Sequence, residues 1–231
     1  QALACVRPLG RAGYKVMVAS HERVPLAAWS RYCSSSFHLE DQTIEAFAQL
    51  RQWATSKGAT IVLPMTERSC VLCNVDRAEW ENAGLTVGCA PDEMLQAAFD
   101  KANTVRRARA LGVTIPTTLI PESYDEAVSA SDDIGFPCVV KPRWSNAWNG
   151  KQFSPTQTPA YANDREQLLQ ILSAHSGESG WPLLQCFVPG QGKGLFALCD
   201  RGTIVAWFAH ERLRDTKPTG SSSSLRRSIP L

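Results

Sequence analysis

The 231-residue sequence lacks several things, and each absence closes off a class of function. No apolar run approaches the roughly 18 residues that a helical membrane span needs. No charge of one sign dominates: 24 Lys and Arg against 22 Asp and Glu leave a formal net charge of +2. So close a balance argues against nucleic acid or an anionic membrane surface as a partner. No G-x-G-x-x-G follows a strand-like run, so the fingerprint of a nicotinamide-dependent Rossmann enzyme is missing. No second C-x-x-C accompanies Cys70 and Cys73, and that pair falls in a helical pattern, which argues against a zinc or redox motif. The eight cysteines are otherwise scattered and read as reduced, semi-buried small hydrophobes. A cytoplasmic location is the expectation.

What is present is an ordinary globular composition, 44% hydrophobic and 20% charged, with the alternating pattern of an α/β protein. Residues 2–12 are helical in spacing, although Pro8 is awkward there. The run 14–19 (YKVMVA) reads as a strand. The chain starts at Gln1 inside a helical pattern, so a preceding β-strand is expected and the sequence reads as a fragment. Thr43 to Lys57 is an amphipathic helix stopped by Gly58, and ATIVLP at 59–64 is a buried strand. Residues 67–82 read as one helix and 85–89 as a short strand. This first unit ends near residue 90.

Asp92 is the expected N-cap of a helical region reaching about Gly112, with Asp100 and Lys101 in its middle. The arginines at 106, 107 and 109 read as a solvated helix face. Then come a strand at 117–120, a helix at 124–131 and a strand at 136–141. Residues 164–175 form a helix capped by Asp164, and 183–188 (LLQCFV) a strand. Strands alternating with helices predict parallel pairing up to this point. Beyond Pro189-Gly190 the runs 195–199 and 203–210 pair as an antiparallel hairpin across Asp200-Arg201-Gly202, and the last 20 residues read as loop.

The stretch GFPCVVKP at 135–142 poses the chemical question. Cys138, Val139 and Val140 form a short apolar run, and Lys141 follows directly. A lysine at the end of a buried strand must find an anion, lose its proton, or snorkel to water. Lys101 stands forty residues upstream, and LLQCFVPGQGKG lies about forty downstream. With DK at 100–101, GFPCVVKPRWSNAWNG at 135–150, LLQCFVPGQGKGLFAL at 183–198 and HERLRDTKPTGSSSS at 210–224, the sequence resembles the ATP-grasp superfamily. The nearest branch is the carboxylate-amine ligases and carbamoyl-phosphate synthase-like proteins.

The resemblance implies an α/β fold, α+β in the grasp part. A Rossmann-like pre-ATP-grasp domain would occupy 1–90, with linking helices at 91–116. The small lobe would occupy 117–188, and 189–231 would begin the large lobe. It implies ATP and Mg²⁺ as cofactors, with Lys101 and Lys141 holding phosphates from two sides. Ser145 and Gly150 would lie in a loop folded over the phosphates, where Trp144 and Trp148 replace the glycines usual in the family. Gln185, Cys186, Phe187 and Val188 would form a hinge against adenine, read through the backbone, and Lys193 would reach ribose or phosphate.

On a strand, alternate residues share a face, so His210, Arg212 and Arg214 would point together toward an anion; a solvent-exposed strand face is the alternative. The resemblance makes Arg212 and Arg214 catalytic and gives His210 and Lys217 to the substrate. The implied reaction activates a carboxylate as an acyl-phosphate for attack by an amine or other nucleophile. The partners are then small carboxylates and amines, with a homodimer left open. The family's Mg²⁺ ligands fall beyond Leu231, so no metal ligand is expected in this chain and turnover by it alone is not expected. A non-catalytic nucleotide-binding or regulatory module is the alternative, suggested by the altered loops.

Overall fold

Thr43 opens the clearest helix: its side chain accepts a hydrogen bond from the Ala46 amide at 3.2 Å, and Ile44–Ser56 then buries Phe47, Leu50 and Ala54 on one face. The computed structural model describes residues 2–155, 158–175, 177, 180–216 and 223–230. They divide into two compact units, Gln1–Cys186 and Phe187–Leu231.

In the first unit, α1 (Ala2–Arg11) precedes β1 (Val16–Ser20), which pairs in parallel with β2 (Cys33–His38). The sequence pattern did not mark β2, because CSSSFH has no apolar run and its burial only alternates between partial and exposed. After α2 (Ile44–Ser56), β3 (Ile61–Val62) pairs in parallel with β4 (Thr86–Val87), flanked by α3 (Glu67–Val75) and α4 (Arg77–Asn82). The single helix expected over 67–82 is therefore two. They part at Asp76, whose backbone leaves helical geometry at φ −114° and ψ 31°. Leu50, Leu72, Cys73, Trp80, Leu85 and Val87 close the core of this part.

The helical region after residue 90 is also broken. α5 (Asp92–Phe99) starts with Pro91, not Asp92, at its N-cap, and α6 (Lys101–Ala110) starts immediately after Asp100. Asp100 is extended, at φ −73° and ψ 105°, and its carboxylate caps α6 by accepting the Ala102 amide at 2.9 Å. An aspartate that offers its oxygen to the backbone favours a helix start over a helix interior. Lys101 thereby becomes the first residue of a helix.

Four further strands form an antiparallel sheet in the order β5-β8-β6-β7, from Thr118–Leu119, Leu183–Cys186, Cys138–Lys141 and Ala160–Ala162. The parallel pairing expected here is absent. β5 and β6 run the same way across α7 (Tyr124–Ile134), but β8 inserts between them and pairs antiparallel with both. An apolar run records burial, not direction, so the insertion was invisible in sequence. α8 (Arg165–Ser173) is capped by Asp164, which accepts the Gln167 amide at 2.8 Å. Leu168 and Leu172 pack with Ala127, Ile134, Val140 and Leu184.

The second unit is one antiparallel sheet in the order β11-β10-β9, from Ser223–Ser228, Thr203–Asp215 and Lys193–Asp200. β11 replaces part of the loop expected at the end of the chain. Its serines and arginines carry no apolar period, and five of its six residues are exposed.

Leu184 is fully buried at the centre of the four-stranded sheet. Leu184→Ala is expected to cost about 2–5 kcal/mol. Urea unfolding followed by circular dichroism measures it, and a loss below about 1 kcal/mol would contradict this packing.

Candidate functional site: two lysines brought together by an ion pair

Lys141 ends β6, directly after three buried residues, and Lys101 begins α6. The two come from different elements yet lie close enough for the charge of Lys141 to lower the pKa of Lys101. Burial is the larger cause and lowers both ammonium groups below the ordinary lysine value. Glu67 and Asp100 act the other way on Lys101. Lys101 Nζ donates to Ser145 Oγ at 3.0 Å, and Lys141 Nζ donates to Gln185 Oε1. Gln185 Nε2 in turn donates to Thr118 Oγ1 at 2.8 Å, and Thr118 Oγ1 donates to the Pro116 carbonyl at 2.8 Å. The amide orientation of Gln185 thus places oxygen toward the ammonium.

What sets this arrangement is an ion pair to which sequence reasoning assigned no role. Asp100 is 1% exposed, and Arg143 grips it in a fork, Nε to Oδ1 at 2.9 Å and NH2 to Oδ2 at 2.7 Å. The Lys101 amide also donates to the Arg143 carbonyl at 3.1 Å. Burial pushes the Asp100 carboxyl up, but Arg143 and the Ala102 and Asn103 amides outweigh it, so its pKa lies below the ordinary value. The available signal was Asp before Lys at a helix start, matched by Arg two residues after the strand lysine.

The loop after Arg143 is a small hairpin. The Ser154 amide donates to the Ala147 carbonyl at 2.8 Å, and Trp148 bridges Phe153. Gly150 turns the chain at φ 92°, in the left-handed region. Asn149 Oδ1 accepts the Lys151 and Gln152 amides at 3.0 and 2.9 Å. Those two N–H groups are therefore engaged within the hairpin. Ser145 meets Lys101, whereas Gly150 stands at the exposed tip.

The hinge residues divide by role. β8 is flanked on both sides, and the Cys186 amide donates to the Thr117 carbonyl at 2.9 Å. Gln185 pairs with both Thr118 and Val139, so its part in the site comes from its side chain, not from the backbone edge expected. Phe187 and Val188 follow the end of β8 and are both exposed.

In the second unit, Lys193 is exposed at the start of β9, in register with Glu211. His210 is buried over Gly194, where a Cβ would stand 2.6 Å from its ring, and it stacks on Phe196 with centroids 5.1 Å apart. Arg212 lies over Gly192 and pairs with Asp215 at 3.7 Å. The common face expected for His210, Arg212 and Arg214 is not carried through. The register of β10 against β11 slips on both sides of Arg214, and Arg214 Nε donates to Ser224 Oγ at 3.0 Å. Lys217 lies outside the described residues.

Among the described residues no three His, Cys, Asp or Glu side chains converge to hold a metal ion. The thiols of Cys70 and Cys73 are pushed up to about 12, by burial first and then by Cys89. No described helix is long and apolar enough to cross a membrane.

No family model and no curated protein matches the sequence. Solved structures do match the fold. N5-carboxyaminoimidazole synthetase from Staphylococcus aureus, complexed with ADP, is similar at a TM-score of 0.66 and 12% identity, over 93% of this chain and 52% of that one. The biotin carboxylase domain of 2-oxoglutarate carboxylase from Hydrogenobacter thermophilus, with MgADP, ADP and bicarbonate, is similar at 0.64 and 16%, over 92% and 49%. L-Amino acid ligase from Bacillus licheniformis is similar at 0.62 and 12%, over 96% and 51%. The chain spans about half the length of these structures.

Asp100→Asn leaves Arg143 facing a neutral amide and is expected to cost about 3 kcal/mol at neutral pH. Because the folded pKa of Asp100 is lowered, the pair's contribution is full above the ordinary carboxylate range and fades as pH falls through the folded value. Chemical denaturation of both proteins at pH 7 and at acid pH measures this. A difference that does not shrink in acid would refute the assignment.

Proposed function

Starting from a chain that carries the ATP-grasp fold, we propose that it binds ATP through Lys101 and Lys141. In the full-length protein it would serve an ATP-dependent ligase that activates a carboxylate as an acyl-phosphate. The observation that carries this reading is the pairing of two desolvated ammonium groups from separate elements. Two half-buried like charges near one another favour an anion that joins them. A polyphosphate supplies that anion. Ser145 and the Gln185 side chain orient the two ammonium groups, and Arg143 with Asp100 holds the helix start that presents Lys101.

In this reading Gln185 to Val188, at the end of β8 and just beyond it, would lie against adenine. Lys193 would reach ribose or phosphate. His210, Arg212 and Arg214 would serve the carboxylate and its acyl-phosphate, with Lys217 as a further cation. The carboxylate oxygen attacks the γ-phosphorus as the bond to ADP breaks, and an amine then displaces phosphate from the acyl carbon. The protein's contribution is positioning and charge stabilisation. Mg²⁺ would neutralise phosphate charge when bound. The described residues form no ligand set for it.

Lys141→Ala and Lys101→Ala are each expected to weaken ATP binding roughly 10- to 100-fold, the value of a charge-assisted hydrogen bond, with the fold retained. Isothermal titration with ATP and Mg²⁺ measures this, and unchanged affinity in Lys141→Ala would sink the reading. An ADP-release assay of the full-length protein on a panel of carboxylates then separates the ligase from a binding module, which would bind without turnover. Because both lysine pKa values are lowered, ATP affinity is also expected to decline with rising pH before the ordinary lysine value is reached.

A further inference from the structure

The hairpin after Ser145 is fastened at a second place, on the N-terminal part of the first unit. Asn146 Nδ2 donates to Glu67 Oε2 at 2.8 Å, and Arg68 Nε donates to Asn146 Oδ1 at 2.8 Å. Both ends of one amide are therefore held by consecutive residues at the start of α3. That helix start is itself rigid: Thr66 and Ser69 form a reciprocal capping box. Arg68 also stands over the Phe153 ring, 5.0 Å from its centroid, and Phe153 packs on Trp148 at 4.6 Å. Both rings lie against the core built by α2, α3 and α4. One residue before Asn146, Ser145 accepts from Lys101. The same short segment thus touches α3 on one side and Lys101 on the other.

We propose that Glu67 and Arg68 are positioning residues for phosphate recognition, holding the 146–153 hairpin docked beside Lys101 and Lys141 before a nucleotide arrives. A loop ordered in advance spares binding the entropy of ordering it. The gain falls on ligands that carry phosphates, because the loop's contact with the site is at Ser145 and Lys101. The base and ribose gain nothing from it. This inference rests on the nucleotide reading above, and it assigns to the N-terminal part a share in setting affinity by phosphate content.

The test compares wild type, Arg68→Ala, Arg68→Lys and Asn146→Ala by isothermal titration with ATP and with adenosine, alongside limited trypsin cleavage at Lys151. Arg68→Ala and Asn146→Ala are each expected to weaken ATP about tenfold, as loss of a charge-assisted hydrogen bond does. Adenosine affinity should change less than about twofold on the same scale, and cleavage at Lys151 should accelerate. Arg68→Lys keeps the charge but not the planar fork, so it should fall between wild type and Arg68→Ala. Equal losses for ATP and adenosine, or unchanged ATP affinity with either variant, would overturn the proposal while leaving the nucleotide reading intact. Cleavage at the wild-type rate in both alanine variants would also overturn it, whatever the ligand result. A wild-type protein that binds no ATP would overturn the nucleotide reading, and with it the role in phosphate recognition.

Discussion

Asp100 and Arg143 form the contact on which the site depends. Asp100 ends one helix, caps the next and is buried, so its charge must be met inside the protein. Arg143 meets it with a two-point fork from the loop after β6. That single pair ties the first turn of α6 to the end of the strand carrying Lys141. The Asp100 cap on α6, the Lys101 amide bond to the Arg143 carbonyl and the Lys101–Ser145 bond act beside it in fixing Lys101 to the loop. The pair also absorbs one positive charge near two lysines, which limits the repulsion among them.

Around that pair the polar contacts form a connected set. Lys101 reaches Ser145, and the neighbouring Asn146 reaches Glu67 and Arg68. Lys141 reaches Gln185, which reaches Thr118 on the far side of β8. Each bond fixes a side chain that the next one needs, so both ammonium groups are held in place by neighbouring side chains. Trp148 in this segment also has a physical role. Trp148, with Phe153, anchors the hairpin to an apolar core, where a glycine-rich loop would have no such anchor. The result is a loop held by its own aromatic residues instead of one that gains order only from its ligand.

Much of this was legible in residues read one element at a time. The apolar run at 138–140 marked a buried strand, and Thr43 and Asp164 marked helix starts. Among the elements that escaped, β2 and β11 carry no apolar period. Both are serine-rich, and their pairing depends on a neighbour's backbone, not on their own side chains. The helix break at Asp100 escaped because helical spacing continues across it, and only the capping bond and Arg143 reveal the stop.

By itself, the sequence determined that 138–140 is a buried strand leading to Lys141 and that helices start beside Thr43 and Asp164. These follow from local periodicity and capping, which act over a few residues. Tertiary structure alone decided that β8 separates β5 from β6, that the Gln185 side chain meets Lys141, and that Arg143 closes on Asp100. It also decided that α3 holds the hairpin through Asn146. Each of these joins residues more than forty positions apart. Such contacts are selected by the shape and charge of the assembled core, and no local pattern records them.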